Sequence, residues 1–469
     1  MATSSSAPGA RGPELVRELN VWHATSIVVG TIIGSGIFRV SAVMMKDVGS
    51  PSLVYLVWLV GGLLSFFGAL TYAELGAVRP YAGGEYVYVR DGYGPMLGFL
   101  YSWTWFLLAK PASIAAVTTG IVDVLSTFQR FSFLPHPLIF LHLSSTRTWQ
   151  VTYAQLIAIA ATILISGVNY IGVRKAGNFQ LVLTTLKVGM IGLIIVVGFT
   201  ASTGTWSNFH TRFTGAHGGF SGFMLALVAA LWAYDGWNDL NMVSGEVRNP
   251  ERNIPFALIA GVFLVAFLYM TMNAAIQYVM PATAVAGAPV AAAAATKIAI
   301  GSTGAWLVSI GMALSMFVTL NGTIMSGGRV PFAVARDGYF FKGLAEVHPR
   351  FHTPSLAIVV QCVMAIVLLL GGGAFEAFFS LAIFAEWLFY MIAASTIFVF
   401  RRREPNVHRP YKTWGYPIVP ALFIIAAAVL LVYTFNENRK ESFAGLLIIL
   451  AGIPVFQYFA RRRSAPVSN

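Results

Sequence analysis

The sequence predicts an all-α membrane protein of twelve transmembrane helices, arranged as two five-helix repeats of opposite orientation followed by two further helices. Three observations lead there. The chain of 469 residues is 57% hydrophobic and only 10% charged, whereas soluble domains carry about 25% charge. Its basic residues gather in short segments on one side of the apolar spans. Two of those spans are interrupted near their middles, at positions about half the repeated region apart.

Twelve spans are expected at roughly 21–46, 51–78, 96–127, 151–172, 179–200, 221–246, 255–280, 301–330, 354–371, 376–400, 417–435 and 441–460. Each is long enough to cross a hydrocarbon core as a helix or close to it. Residues 1–20 form a polar tail rich in Ser, Ala, Gly and Pro, without the short apolar core and small-residue cleavage site of a removable signal peptide. The first span is therefore expected to direct insertion. The longer connections at 128–150, 201–220 and 281–300 have room for short surface helices.

With the N-terminus in the cytoplasm, the segments on that side hold 20 Lys and Arg against 7 on the other, and Arg39, Lys110 and Lys187 fall inside spans. Both termini, including the 461–469 tail, are thus expected to be cytoplasmic. The net charge of +12 is orientational, and no nucleic-acid partner is expected. The expected surroundings are the lipid bilayer of the cell (inner) membrane.

Spans one to five (21–200) and six to ten (221–400) read as an inverted pair, with 417–460 appended. The first span of each set is broken: Gly34-Ser35-Gly36 in one, Trp232 to Asn238 in the other. Gly costs a helix about 1 kcal/mol relative to Ala, and the opened backbone groups cost several kcal/mol each in hydrocarbon. Taken alone, these glycines also suit a close helix–helix seam. Their recurrence at matching positions favours a binding site of the kind transporters build from paired broken helices.

At such a break the half-helix starting near Ser35 and Gly36 offers N–H donors and a positive dipole end to a carboxylate. The half-helix ends near Ile32, Ile33, Trp232 and Asp235 offer carbonyls to an ammonium group. Together these complement a free amino acid. The eight histidines lie in loops or at span edges and the single cysteine, Cys362, lies within a span. Neither a metal site nor a cofactor is expected, and no catalytic constellation of an enzyme is visible.

The chain resembles the amino acid–polyamine–organocation superfamily, within it the L-type amino acid transporter-like group. The motifs are Gly30-Thr-Ile-Ile-Gly-Ser-Gly-Ile-Phe38, Tyr72-Ala-Glu-Leu-Gly76, Ala82-Gly-Gly-Glu-Tyr86, Lys110-Pro-Ala-Ser113, Trp232-Ala-Tyr-Asp-Gly-Trp-Asn238 and Gly245-Glu-Val-Arg-Asn-Pro-Glu-Arg-Asn-Ile-Pro255. The resemblance implies the LeuT-type 5+5 inverted repeat and sodium-independent transport of amino acids by alternating access. A neutral-amino-acid exchanger is the favoured form; a proton-coupled symporter and a cationic amino acid or polyamine permease are the alternatives. The family pattern, carried onto this chain, assigns the substrate carboxylate to the Ser35 and Gly36 amides beside Gly34, and the amine to carbonyls of Ile32, Trp232 and Asp235. It makes Trp232 an aromatic gate and sets Ala109, Ser113, Trp237 and Asn238 around the side-chain pocket.

Three charges remain. Lys187 lies deep in span five, where an unpaired lysine costs about 2.5–3.5 kcal/mol on insertion scales. It either snorkels to the interface or, as the resemblance implies, occupies the region of a sodium ion and tethers carbonyls of spans one and eight. Asp235 either attracts a cationic side chain or pairs with Lys110 to hold the helices, the second being preferred. Glu386 either binds a proton or belongs to a hydrogen-bonded core. Only Asp235 and Glu386 are available to a polycation, which disfavours the polyamine reading. In the group that the chain resembles, animal members often bind an ancillary glycoprotein through a cysteine in the external loop after span three. Residues 128–150 contain none, so no disulfide-linked subunit is expected, as in the prokaryotic members.

Overall fold

The computed structural model describes residues 14–126, 128–144, 147–371, 374–437 and 439–464. The parts of the expected tails at 1–13 and 465–469 lie outside the described residues. Asn20 starts α1 (Val21–Ile32): its side chain accepts from the amides of Trp22 and His23, while His23 Nδ1 accepts from the Asn20 amide. That reciprocal cap satisfies donors which a helix start leaves open. Ile33 is extended and the chain resumes helix as α2 (Gly36–Val48). Pro51, whose missing N–H costs nothing in a first turn, opens α3 (Pro51–Val78). The buried helix α4 (Glu85–Tyr93) precedes α5 (Pro95–Thr104), a π-helical turn at Trp105–Ala109, and α6 (Lys110–Ser126).

The connection after α6 departs from expectation. In place of a surface helix alone it holds an antiparallel hairpin, β1 (Pro137–Ser144) and β2 (Arg147–Thr152). Thr, Val, Ile and Phe in this stretch favour a pleated pairing. Next come α7 (Tyr153–Tyr170), α8 (Val173–Phe199) and α9 (Gly219–Ala233). A non-helical stretch then leads to the short α10 (Asp239–Met242), followed by α11 (Pro250–Val279). The loop before α9 carries a 3₁₀ turn at Trp206–His210, and α12 (Ala282–Gly287) and α13 (Ala291–Ile300) follow α11. The remaining helices are α14 (Ser302–Gly327), α15 (Arg329–Arg336), α16 (Ser355–Leu370), α17 (Ala374–Arg403), α18 (Ile418–Glu437) and α19 (Arg439–Ser464).

Among the described residues, ten helices are long and apolar enough to cross a membrane, counting α1–α2, α5–α6 and α14–α15 each as one. Large apolar side chains such as Leu164, Val182, Phe263 and Val432 stay more than half exposed on their outer faces, which suits a hydrocarbon solvent. This is a multi-pass helical membrane protein.

On the side of the molecule where the described chain begins, the two interrupted helices are tied together. Leu19 pairs in parallel with Val247: its amide donates to Glu246 O at 3.0 Å and its carbonyl accepts from the Arg248 amide at 2.7 Å. Beneath that bridge, Arg329 clasps Glu246 through two hydrogen bonds of 2.8 and 3.1 Å, with both side chains fully buried. Arg401 and Arg409 converge on Glu74 in the same way, at 2.6 and 3.3 Å. Each of these carboxylates is fixed by a guanidinium, the pairing that best offsets the cost of burying a charge.

Candidate functional site

The two breaks face each other across a cavity of about 310 Å³. Thr31 Oγ1, at the end of α1, lies 2.8 Å from Gly236 O in the second break. Gly236 sits at φ +107°, and a Cβ there would come within 3.0 Å of the Thr31 carbonyl carbon. Only glycine allows both the backbone turn and the approach. Across the cavity, a Cβ on Gly36 would stand 3.0 Å from Ala233 Cβ.

Donors and acceptors are divided as the breaks dictate. Ser35 makes no side-chain cap to α2, and the amides of Ser35 and Gly36 have no acceptor among the described residues. The start of α2 therefore presents open donors at its positive end to the cavity. On the carbonyl side, Tyr269 of α11 places its hydroxyl 3.2 Å from Ile32 O and 2.8 Å from Ala233 O, so one side chain bridges the ends of α1 and α9. Trp232 O accepts from the Asp235 amide at 3.3 Å. A carbonyl has two lone pairs, so the Ile32 oxygen, which accepts from Tyr269, keeps acceptor capacity, while the Trp232 oxygen also accepts from the Tyr234 amide.

The Ile33 carbonyl does not face the cavity as expected. It is taken by Lys187 Nζ at 2.6 Å, by Ser315 Oγ at 2.8 Å and by Thr319 Oγ1 at 3.2 Å. Lys187 also donates to Gly30 O at 2.8 Å and lies 3.4 Å from Ser315 O. It is 1% exposed, so the snorkelling alternative is excluded by geometry. Its ammonium ties the end of α1 to α14.

Ile32, Gly34, Ser35, Gly36, Ser113, Trp232, Asp235 and Asn238 all line the cavity, whereas Ala109 and Trp237 do not. Ala109 is fully buried at the end of the π turn, where its carbonyl accepts from Ser113 Oγ at 2.8 Å. Trp237 is turned away and packs edge-on against Tyr72, ring centroids 4.8 Å apart, and against Phe423. The positive φ of Gly236 turns the chain so that consecutive residues in the break point to opposite sides. Trp232 is 39% exposed, an open aromatic wall.

The charges pair differently from the sequence reading. Lys110 is held by Asp239 Oδ1 at 2.5 Å, not by Asp235. Asp235 Oδ1 accepts from the Tyr390 hydroxyl at 3.0 Å, and Tyr390 also lies 3.2 Å from Asn238 Oδ1. Asp123 and Asp239 line the cavity along with Asp235 and Glu386, so the count of two available carboxylates was too low. Lys110 pairs with Asp239, and Arg39 lies near enough to Asp123 to act on it electrostatically without an ion pair among the described residues. Among the described residues, the cavity carboxyls without an ion pair to a basic side chain include Asp235 and Glu386.

Four residues at or next to the breaks escaped the sequence reading. Asp239 was signalled by Lys110, which needs a carboxylate, and by its place four residues after Asp235. Glu85 stood in the Ala82–Tyr86 motif without a partner. Thr319 and Tyr269 stand among other polar residues of α14 and α11, and nothing local distinguished them.

Comparison with known proteins adds an independent line. Residues 19–454 match the family described as "Amino acid permease". The chain is 32% identical to the serine/threonine exchanger SteT of Bacillus subtilis (strain 168), covering 96% of this chain and 98% of that protein. It is 31% identical to the b(0,+)-type amino acid transporter 1 of Mus musculus, over 97% and 92% of the two chains. It is 29% identical to the cystine/glutamate transporter of Homo sapiens, over 96% and 87%.

Proposed function

Because the chain belongs to the amino acid permease family, we propose that it is a sodium-independent exchanger of neutral amino acids working by alternating access. The observation that carries this reading is the juxtaposition of the two breaks, with open amides at Ser35 and Gly36 opposite the carbonyls of Ile32 and Trp232. An α-carboxylate and an α-ammonium need just such an opposed pair of backbone ends. Membership of the family and the names of the relatives, exchangers and transporters of amino acids, support the same substrate class.

In this proposal the scaffold is a LeuT-type 5+5 inverted repeat of twelve spans. Residues 21–200 and 221–400 form the halves, 417–460 the two added helices, and both termini lie in the cytoplasm beside the cell membrane. Ser35 and Gly36 receive the carboxylate, and Ile32, Trp232 and Asp235 carbonyls the amine. Ser113 and Asn238 border the side chain, and Trp232 gates it. Lys187 replaces a coupling cation, a role supported by its ammonium on Gly30 O and Ile33 O. Trp237 and Ala109 hold these groups from behind. No disulfide-linked subunit is part of the proposal, since Cys362 is buried within α16.

The test is counterflow of labelled L-serine into liposomes loaded with each amino acid in turn, with choline replacing sodium. Trans-stimulation by neutral amino acids without sodium is expected. Uptake that needs sodium, or flux that ignores the internal amino acid, would refute the proposal. The unpaired carboxylates Asp235 and Glu386 support a second reading, transport of cationic amino acids, for which L-arginine in the same panel is the discriminating substrate.

A further inference from the structure

Glu85 opens α4, outside the spanning helices, and is completely buried. Its side chain nevertheless reaches the second break: Asn238 Nδ2 donates to Oε1 at 2.6 Å, and the Tyr101 hydroxyl lies 3.4 Å from Oε2. Among the described residues no cation forms an ion pair with it. The groups that face it are Tyr72 from α3, Tyr88 from α4, Tyr101 from α5, Lys110 from α6, Asp239 from α10, and Tyr390 and Glu386 from α17. With Asp235, held by Tyr390, this cluster sets four carboxyls around one ammonium, and Asp239 already occupies that ammonium. Away from water, carboxyls in such excess take up protons instead of remaining charged.

We propose that Glu85 is a proton-binding site whose occupancy sets the orientation of Asn238 and, through Tyr390, the acceptor strength of Asp235 at the second break. The chemistry is one proton gained or lost at a carboxyl. With Glu85 ionised, Asn238 turns Nδ2 toward it and Oδ1 toward Tyr390. The single tyrosine proton is then shared between Asp235 Oδ1 at 3.0 Å and Asn238 Oδ1 at 3.2 Å. With Glu85 protonated, its O–H donates, and the Asn238 amide turns over to accept through Oδ1. Nδ2 then points at the tyrosine oxygen, and the tyrosine proton goes to Asp235 alone. The Asp235 carboxylate, which lines the cavity beside the carbonyls proposed for the amine, becomes a poorer second acceptor for the substrate ammonium. Burial pushes the Glu85 carboxyl up to about 7, which sets the exchange of states near neutral pH.

The kinetic consequence rests on the amino acid exchange proposed above; the proton site itself does not. Two readouts keep them apart. Without substrate, the unfolding midpoint of the purified protein is followed from about pH 5.5 to 8.5, across the raised carboxyl range. The folded carboxyl titrates above the unfolded one, so its contribution is fully present in acid and lost as pH rises through about 7. Glu85→Gln is expected to remove that slope. In liposomes, the apparent KM for L-serine exchange is expected to fall about threefold to tenfold as pH rises, the worth of one net hydrogen bond. Glu85→Gln should stay at its acidic value throughout. Asn238→Ala, which lacks the donor that favours the ionised form, should move the native unfolding transition to higher pH.

A Glu85→Gln protein that keeps the native unfolding slope overturns the proton site, whether or not L-serine is carried. A lost slope with an unchanged KM profile overturns the link to Asp235. A lost slope in a protein that does not exchange L-serine upholds the proton site and refutes the exchange reading. Should Glu85→Gln not fold, an unmoved transition in Asn238→Ala overturns the proposal.

Discussion

Replacing Lys187 by alanine separates a transport role from a structural one. The ammonium makes two short bonds, 2.6 Å to Ile33 O and 2.8 Å to Gly30 O, in a site excluded from water. Hydrogen bonds to charged groups are worth about 1.5–3 kcal/mol each, so a gross loss of about 3–6 kcal/mol is removed from the end of α1. Most of it does not reach the stability of the fold. Thr319 Oγ1 lies 3.2 Å from both carbonyls and Ser315 Oγ 2.8 Å from Ile33 O, so neither acceptor is orphaned. The desolvation cost of the buried ammonium disappears with it. What is lost is the preference of α1 for this position against α14. A residual bias of only about 1.4 kcal/mol changes the balance of two conformations tenfold. The expected result for Lys187→Ala is a drop of about tenfold or more in exchange of L-serine, at equal abundance and with an unfolding midpoint within a few degrees of native. Native exchange rates at equal abundance would refute the tether. A loss of folded protein in proportion to activity would make Lys187 a structural residue.

Other outcomes follow from the same geometry. Gly36→Val drives its γ-methyls against Ala233, already 3.0 Å from a Cβ, and should abolish exchange with folded protein in the membrane; Gly36→Ala should retain part of the activity. The methyl ester of a carried amino acid should fail to compete for uptake, because an ester offers no full charge to the α2 amides; effective competition would remove the carboxylate assignment. Arg329→Ala strands Glu246 in a fully buried site, at a cost of about 3–5 kcal/mol, and should lower the unfolding midpoint sharply. Arg329→Met with Glu246→Leu should recover much of that loss in scanning fluorimetry.

How far the local sequence reaches is plain from particular residues. Gly34, Ser35 and Gly36 marked the first break because glycine is the poorest helix former after proline and a break in hydrocarbon needs a reason. Lys187 marked itself as a group that required partners, although its three carbonyls come from two helices that no local pattern names. The hairpin at 137–152 was missed because surface connections are read by elimination, and β1 and β2 only make sense as a pair. Trp237 was misplaced because its motif includes it while the left-handed turn at Gly236 sends it outward.

Apolar run length, the low content of charge, and the paired glycine-bearing interruptions were enough to indicate a helical membrane protein with two broken helices. These properties act over one or two helical turns, or through composition alone, so they survive without knowledge of neighbours. Partner choice among buried polar groups is different. Lys110 lies 129 residues from Asp239, Glu85 153 from Asn238 and Lys187 157 from Gly30. Coulomb attraction and hydrogen bonding act over a few ångströms, and only the packed fold brings such residues that close.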